Sequence, residues 1–137
     1  KVHKKAYASL VRIRDALKNL PRKKFSKFFV KSSGTYYWRY IKDSKRLSMH
    51  SFGIAIDIAV RHAHYWKWTR KVKRLRDKDP IPYQNHFPQE IIDIFEKNQW
   101  AWGGRWYHHD TMHFEYRPEL FQPLCVDSNK NVRSNTK

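Results

Sequence analysis

Apolar side chains recur at helical spacing near the start of the chain. Tyr7, Leu10, Val11, Leu17 and Leu20 fall on one face, with Lys and Arg on the other. The pattern stops at Leu20-Pro21, because proline cannot continue a helix interior. Phe28-Phe29-Val30 and Thr35-Tyr36-Tyr37-Trp38-Arg39-Tyr40-Ile41 then flank Ser32-Ser33-Gly34. β-branched and aromatic runs around a glycine-containing turn predict a hairpin. Residues 54–60 are apolar except for Asp57 and predict a buried strand. Residues 61–87 show no clear period and read as a long surface excursion. Pro88 opens a second helix with Ile91, Ile92 and Phe95 on its inner face. Trp100-Ala101-Trp102-Gly103-Gly104 reads as a turn, and residues 112–116 as a strand with alternating faces. From Pro118 the chain becomes polar, with fraying expected after Val126. These elements predict an α+β fold: a small antiparallel sheet flanked by helices. One domain is expected over residues 1–126, with a polar C-terminal tail over 127–137.

Composition supports a folded chain. Of 137 residues, 40% are hydrophobic and 16% aromatic, enough for a real core. The formal charge of +17 changes the picture more. A field of that size attracts polyanions: nucleic acid, anionic lipid head groups or anionic wall polymers. The cations are uneven along the chain, with six in the nine residues from Arg70 to Lys78. That run favours an anionic partner, whereas the scattered lysines read as a solvated surface. The single Cys125 rules out an internal disulfide and a cysteine-based zinc site. No apolar run approaches membrane-spanning length. The chain starts at Lys1 rather than Met, so a removed leader or upstream domain is expected.

The conflict within residues 54–60 carries the chemistry. A carboxylate in an apolar strand is costly unless it is paired or binds a cation, so Asp57 calls for a function. His50 lies seven residues earlier, in a loop leading into the strand. His113 lies in a later antiparallel strand. Two imidazoles and a carboxylate suit one zinc ion and leave a coordination position open. Asp110, three residues before His113, leans over such a site from the preceding turn and suits a general acid/base. On the last strand His113 and Glu115 share a face, so Glu115 is a candidate for orienting an imidazole. Gly53 suits a tight turn next to His50. Other histidines compete. His108 and His109 could displace His113, but on a strand they face opposite ways and cannot both serve. His62 and His64 form a weaker pair in the basic excursion.

Ser48-x-His50-x-x-Gly53-x-Ala55-x-Asp57, followed by Asp110-x-x-His113-Phe114-Glu115, resembles the zinc D-alanyl-D-alanine carboxypeptidase family. That family includes vancomycin-resistance dipeptidases and phage L-alanyl-D-glutamate endolysins. The Asp-x-x-His form is more similar to the endolysin branch, and the resemblance spans roughly Thr35 to Pro118. It implies that His50, Asp57 and His113 hold zinc and that Asp110 is the catalytic acid/base. It implies further that Arg39 polarises the scissile carbonyl and that Ser48 lies near the site. The implied fold is a small α+β domain whose antiparallel sheet carries the zinc, like hedgehog and D-Ala-D-Ala peptidase domains. The implied activity is hydrolysis of peptidoglycan stem-peptide bonds involving D-amino acids, of D,D-carboxypeptidase or L-alanyl-D-glutamate endopeptidase type. The implied home is the bacterial periplasm or cell envelope. A monomer acting on stem peptides is expected, with the basic surface holding anionic wall polymer. Two rivals remain: a non-catalytic zinc module of the same fold, and a basic nucleic-acid-binding domain. The second leaves Asp57 unexplained, so nucleic acid is disfavoured as a partner.

Overall fold

The computed structural model describes residues 1–30 and 34–122. Four α-helices lie among them: α1 (Lys4–Lys18), α2 (Arg22–Phe25), α3 (Trp66–Val72) and α4 (Gln89–Lys97). Three short strands, β1 (Ala55–Asp57), β2 (Trp100–Trp102) and β3 (His113–Tyr116), form an antiparallel sheet in the order β1-β3-β2. The architecture is a small α+β fold, and no described helix is long and apolar enough to cross a membrane.

The sheet has two chemically different faces because its register aligns them. Ile56 pairs with Phe114, Trp102 with Phe114 and Trp100 with Tyr116, so these apolar side chains share one face. α4 covers that face with Ile91, Ile92 and Phe95, and the Phe95 ring stacks on Phe114 at 4.1 Å. Burying such aromatic area is the largest favourable term available to so small a domain. The other face carries Asp57 opposite His113, and Glu115 between Ala55 and Ala101. The two small alanines leave space above the sheet for polar side chains.

Helix α1 packs its expected Leu10 and Leu17 against the core, but its most deeply buried positions are others. Ala6, Ser9 and Ile13 are buried, whereas Tyr7 is exposed. Small side chains bring α1 close to α4 and β2. Ser9 Oγ donates to the Asn98 carbonyl and accepts from Trp100 Nε1 at 3.0 Å. A buried indole N–H needs such a partner.

Several expected elements differ. The turn expected over residues 100–104 is strand β2 followed by a 3-10 turn, Gly103–Arg105. The alternation of two tryptophans about Ala101 outweighs the glycine pair. The strand expected over residues 54–60 is three residues long. Ala59 takes a left-handed backbone conformation, with φ 49°, and turns the chain away. The excursion over 61–87 contains α3. Among the described residues the two flanks of the expected hairpin do not pair, and Ser26–Phe28 is a 3-10 turn. Residues 35–41 are held by one isolated bridge, Tyr40 to Leu47, and by the loop carrying His50, rather than by a strand partner. Ser32 and Ser33 lie outside the described residues, as do Cys125, Val126 and the 127–137 tail.

Candidate metal centre

His50 is placed by a capped turn. Ser48 caps the 3-10 turn Met49–Phe52, its hydroxyl accepting from His50 N–H at 3.4 Å. Gly53 ends the turn at φ +65°, where a Cβ would also lie 3.0 Å from His3 N. A side chain there would be strained and crowded, so glycine is required. The turn directs His50 inward, and its Nδ1 lies 3.3 Å from the Thr35 carbonyl oxygen. That carbonyl can only accept, so Nδ1 carries the hydrogen and Nε2 keeps its lone pair. Nε2 is 3.2 Å from Asp57 Oδ1 but off the line a hydrogen bond needs, and it is buried without a partner.

Sheet register supplies the other two groups. Asp57 and His113 are paired across β1 and β3, and Asp57 Oδ1 lies 2.8 Å from His113 Nδ1. On its far side His113 Nε2 lies 3.0 Å from Glu115 Oε1, and Arg117 Nη1 donates to Glu115 Oε2 at 3.2 Å. Glu115 therefore holds the Nε2 hydrogen, and Nδ1 is the atom turned toward Asp57 and His50. One ligand atom from each of His50, Asp57 and His113 lies within 4.8 Å of the others. This is a group that could hold a metal ion. The inner nitrogens of two imidazoles and one carboxylate oxygen converge, and the outer nitrogens are anchored by Thr35 and Glu115. That is how metal-binding histidines are usually oriented.

The electrostatics describe a concentrated charge cluster. Burial alone would raise the Asp57 carboxyl, but His113 and His50 outweigh it and hold Asp57 well below the usual carboxylate range. Burial alone would lower the His113 imidazole; its bonds to Asp57 and Glu115 instead raise it to about 9 without a cation. Glu115 is held low: burial opposes this, and His113 and Arg117 overcome it.

Asp110 is the exception. Burial, reinforced by the Asp57 charge, raises its carboxyl to about 6 against the pull of His113 and His50. Its Oδ1 is buried with no hydrogen-bond partner. The backbone around it is closely held. Asp110 N–H donates to the Gly103 carbonyl at 2.9 Å, and its own carbonyl accepts from His113 N–H at 3.2 Å. A Cβ on Gly103 would lie 2.6 Å from the Asp110 carbonyl oxygen, so glycine is required for that approach.

Arg39 lies at the rim. Its N–H donates to Ser51 Oγ at 3.0 Å, and its carbonyl accepts from Ser48 N–H at 3.0 Å. Its guanidinium is exposed and enters no hydrogen bond or ion pair among the described residues. Its charge is felt by Tyr65, whose phenol burial raises, with Asp110 as the next cause. Tyr65 pairs with Asp110 through an isolated bridge. Ser51, Tyr65 and Trp106, whose ring packs 5.5 Å from His113, all belong to the site's surroundings. The sequence reading did not single them out. Ser51 lies inside the first motif and could have been weighed as a backbone clamp; Tyr65 and Trp106 carry no local signal.

The competing histidines lie elsewhere. Both nitrogens of His64 are engaged, Nε2 with Thr69 Oγ1 at 2.7 Å and Nδ1 by Gln84 N–H at 3.0 Å. His109 stacks on His64, His108 on Trp66, and His62 packs against Phe28. None of the four joins His50 and Asp57.

The family model described as D-alanyl-D-alanine carboxypeptidase matches residues 42–116. That interval contains the three clustered residues, Ser48, Asp110 and Glu115, while Arg39 precedes it. No curated protein and no solved structure matches the chain.

Proposed function

The chain belongs to the D-alanyl-D-alanine carboxypeptidase family, and on that premise we propose that it is a zinc-dependent peptidoglycan peptidase. Its substrates are stem-peptide amide bonds that involve D-amino acids, cut in carboxypeptidase or endopeptidase fashion. The observation that carries this reading is the convergence of His50 Nε2, His113 Nδ1 and Asp57 Oδ1, with the opposite imidazole nitrogens held by Thr35 and Glu115.

Zinc held by His50, Asp57 and His113 would supply a Lewis acid that makes a carbonyl more electrophilic and water more acidic. The protein's own groups do the rest. Asp110, raised by burial to about 6, is ionised at neutral pH yet basic enough to take a proton from the attacking water. It then returns that proton to the leaving amine. Arg39 turns its guanidinium toward the carbonyl oxygen as negative charge develops there. Glu115 fixes the orientation of His113, and Ser48 fixes the turn that presents His50. The partially buried Asp110 with its raised pKa favours this reading over a non-catalytic zinc module. Residues 1–126 act as the peptidase domain, as a monomer in the bacterial envelope, with anionic wall polymer as a second partner.

The test is the mass of products released from purified peptidoglycan. Release of D-alanine or of a stem fragment, abolished by chelator and restored by zinc, is expected. Identical product profiles with and without chelator would overturn the metal-dependent reading.

A further inference from the structure

Beside the metal centre lies an open cleft of about 580 Å³. Trp106 forms part of its wall and also packs against His113, so the cleft adjoins the metal centre. His109, the residue before Asp110, lines it too. Tyr83 and Tyr107 add further aromatic surface over the buried Trp102, and Tyr107 is 84% exposed. A monomer rarely leaves so many rings beside a site unless something stacks on them.

The polar group in the cleft narrows the chemistry. Arg105 lines it, and Glu96 holds that guanidinium through two bonds, Nε to Oε1 at 2.6 Å and Nη2 to Oε2 at 2.7 Å. The guanidinium lies 6.0 Å from the centre of the Trp102 ring. Nη1 is left as a donor in a fixed position. Because the pair is already neutralised, a ligand carboxylate gains little from Arg105 and is repelled by Glu96. A neutral acceptor, such as an amide carbonyl or a hydroxyl, has no such cost. The aromatic faces suit a ring whose C–H groups carry partial positive charge.

We propose that this cleft is a subsite for an N-acetylated amino-sugar ring. The pyranose stacks on Trp106 and Tyr107, and its acetamido carbonyl accepts from Arg105. The inference rests on the peptidase reading in its L-alanyl-D-glutamate endopeptidase form: a stem cut near its sugar-bearing end would have that sugar in the adjoining cleft. The cleft would then distinguish glycan-linked stems from free peptide.

Two measurements test it. In the first, a free stem peptide is compared with the same peptide attached to its disaccharide. A KM about tenfold lower for the glycan-linked form is expected, with kcat similar. Tyr107→Ala should remove much of that difference and leave hydrolysis of the free peptide unchanged. Equal KM values for the two substrates in the unmodified protein would overturn the subsite, as would a variant that loses both substrates in proportion. In the second, metal-stripped protein is titrated with N,N′-diacetylchitobiose and indole fluorescence is followed. A saturable change at millimolar sugar, lost in Tyr107→Ala, is expected; no change overturns the proposal. The second readout does not depend on turnover. Sugar binding without hydrolysis would therefore sink the peptidase reading alone, and hydrolysis without sugar preference would sink the subsite alone.

Discussion

At the scale of single residues, Asp110 has an assignment that can be tested cleanly. Asp110→Asn removes the base but keeps its size and its backbone bonds. The variant should retain metal and fold while losing roughly a hundredfold or more in kcat. Near-normal turnover would exclude Asp110 as the base. The base must be ionised, so activity should fall as pH drops through its pKa. That carboxyl stands at about 6 in the metal-free protein, and a bound cation can only draw it lower. The acidic limb of the pH–rate profile should therefore lie at or below about pH 6; a limb centred well above that value would contradict the assignment. Arg39 is a different case, because its exposure alone reads as an ordinary surface cation. If it stabilises developing charge, Arg39→Ala should lower kcat more than it raises KM, and Arg39→Lys should restore only part. Unchanged kinetics would return it to the solvent-facing role.

At the scale of elements, β3 carries His113 and Glu115, whereas the turn between β2 and β3 positions Asp110. Gly103 touches the Asp110 backbone so closely that a methyl group would lie 2.6 Å from its carbonyl. Gly103→Ala should displace Asp110 most, because the methyl group would meet the His113 carbonyl only at 3.2 Å, so the three clustered residues stay close to their places. The expected result is full metal occupancy with turnover reduced about tenfold or more, since small misplacement of a catalytic group is costly. Loss of metal together with activity would mean that the turn also supports His113. Strand β2 depends on a distant partner in the same way. Trp100 and Trp102 become core residues only because β3 offers Tyr116 and Phe114 opposite them. A local reading of two glycines contained no information about that partner.

For the whole molecule, two consequences follow from charge. The first concerns stability without metal. His113 gains its hydrogen bonds to Asp57 and Glu115 on folding, which raises it from 6.5 to about 9 despite burial. The stability from that protonated imidazole is fully present below about pH 6.5 and is lost as pH rises through about 9. Metal-stripped protein should therefore show a Tm that falls between pH 6.5 and 9. The zinc-loaded protein should fall less, because the Nδ1 lone pair is then committed. Parallel curves would count against the ligand set. The second concerns the +17 charge. Lys71, Lys73 and Arg74 are exposed, while Arg70 is drawn to Asp77. If this surface holds an anionic wall, binding to sacculi should weaken steeply with salt. Neutralising Arg70, Lys71, Lys73 and Arg74 should impair that binding and spare a small soluble peptide. Equal loss on both substrates would point to a folding defect.

The sequence by itself determined whatever is encoded within a few neighbouring positions. Alternation along residues 112–116 already placed His113 and Glu115 on one face. An isolated carboxylate in an apolar run marked Asp57. The periodic apolar face after Pro88 marked α4. Each of these is a local pattern, set by the two-residue or 3.6-residue repeat of the backbone. The tertiary structure alone decided what depends on residues distant in the chain. Asp57 meets His113 across 56 positions only through the β1–β3 register. The free nitrogen of His50 is chosen by the Thr35 carbonyl, fifteen positions away. α1 buries Ala6 and Ser9 rather than Tyr7 because close approach to α4 rewards small side chains, and no property of α1 reveals its neighbour. Period is a property of one segment, whereas partners, register and clefts arise from the packing of several.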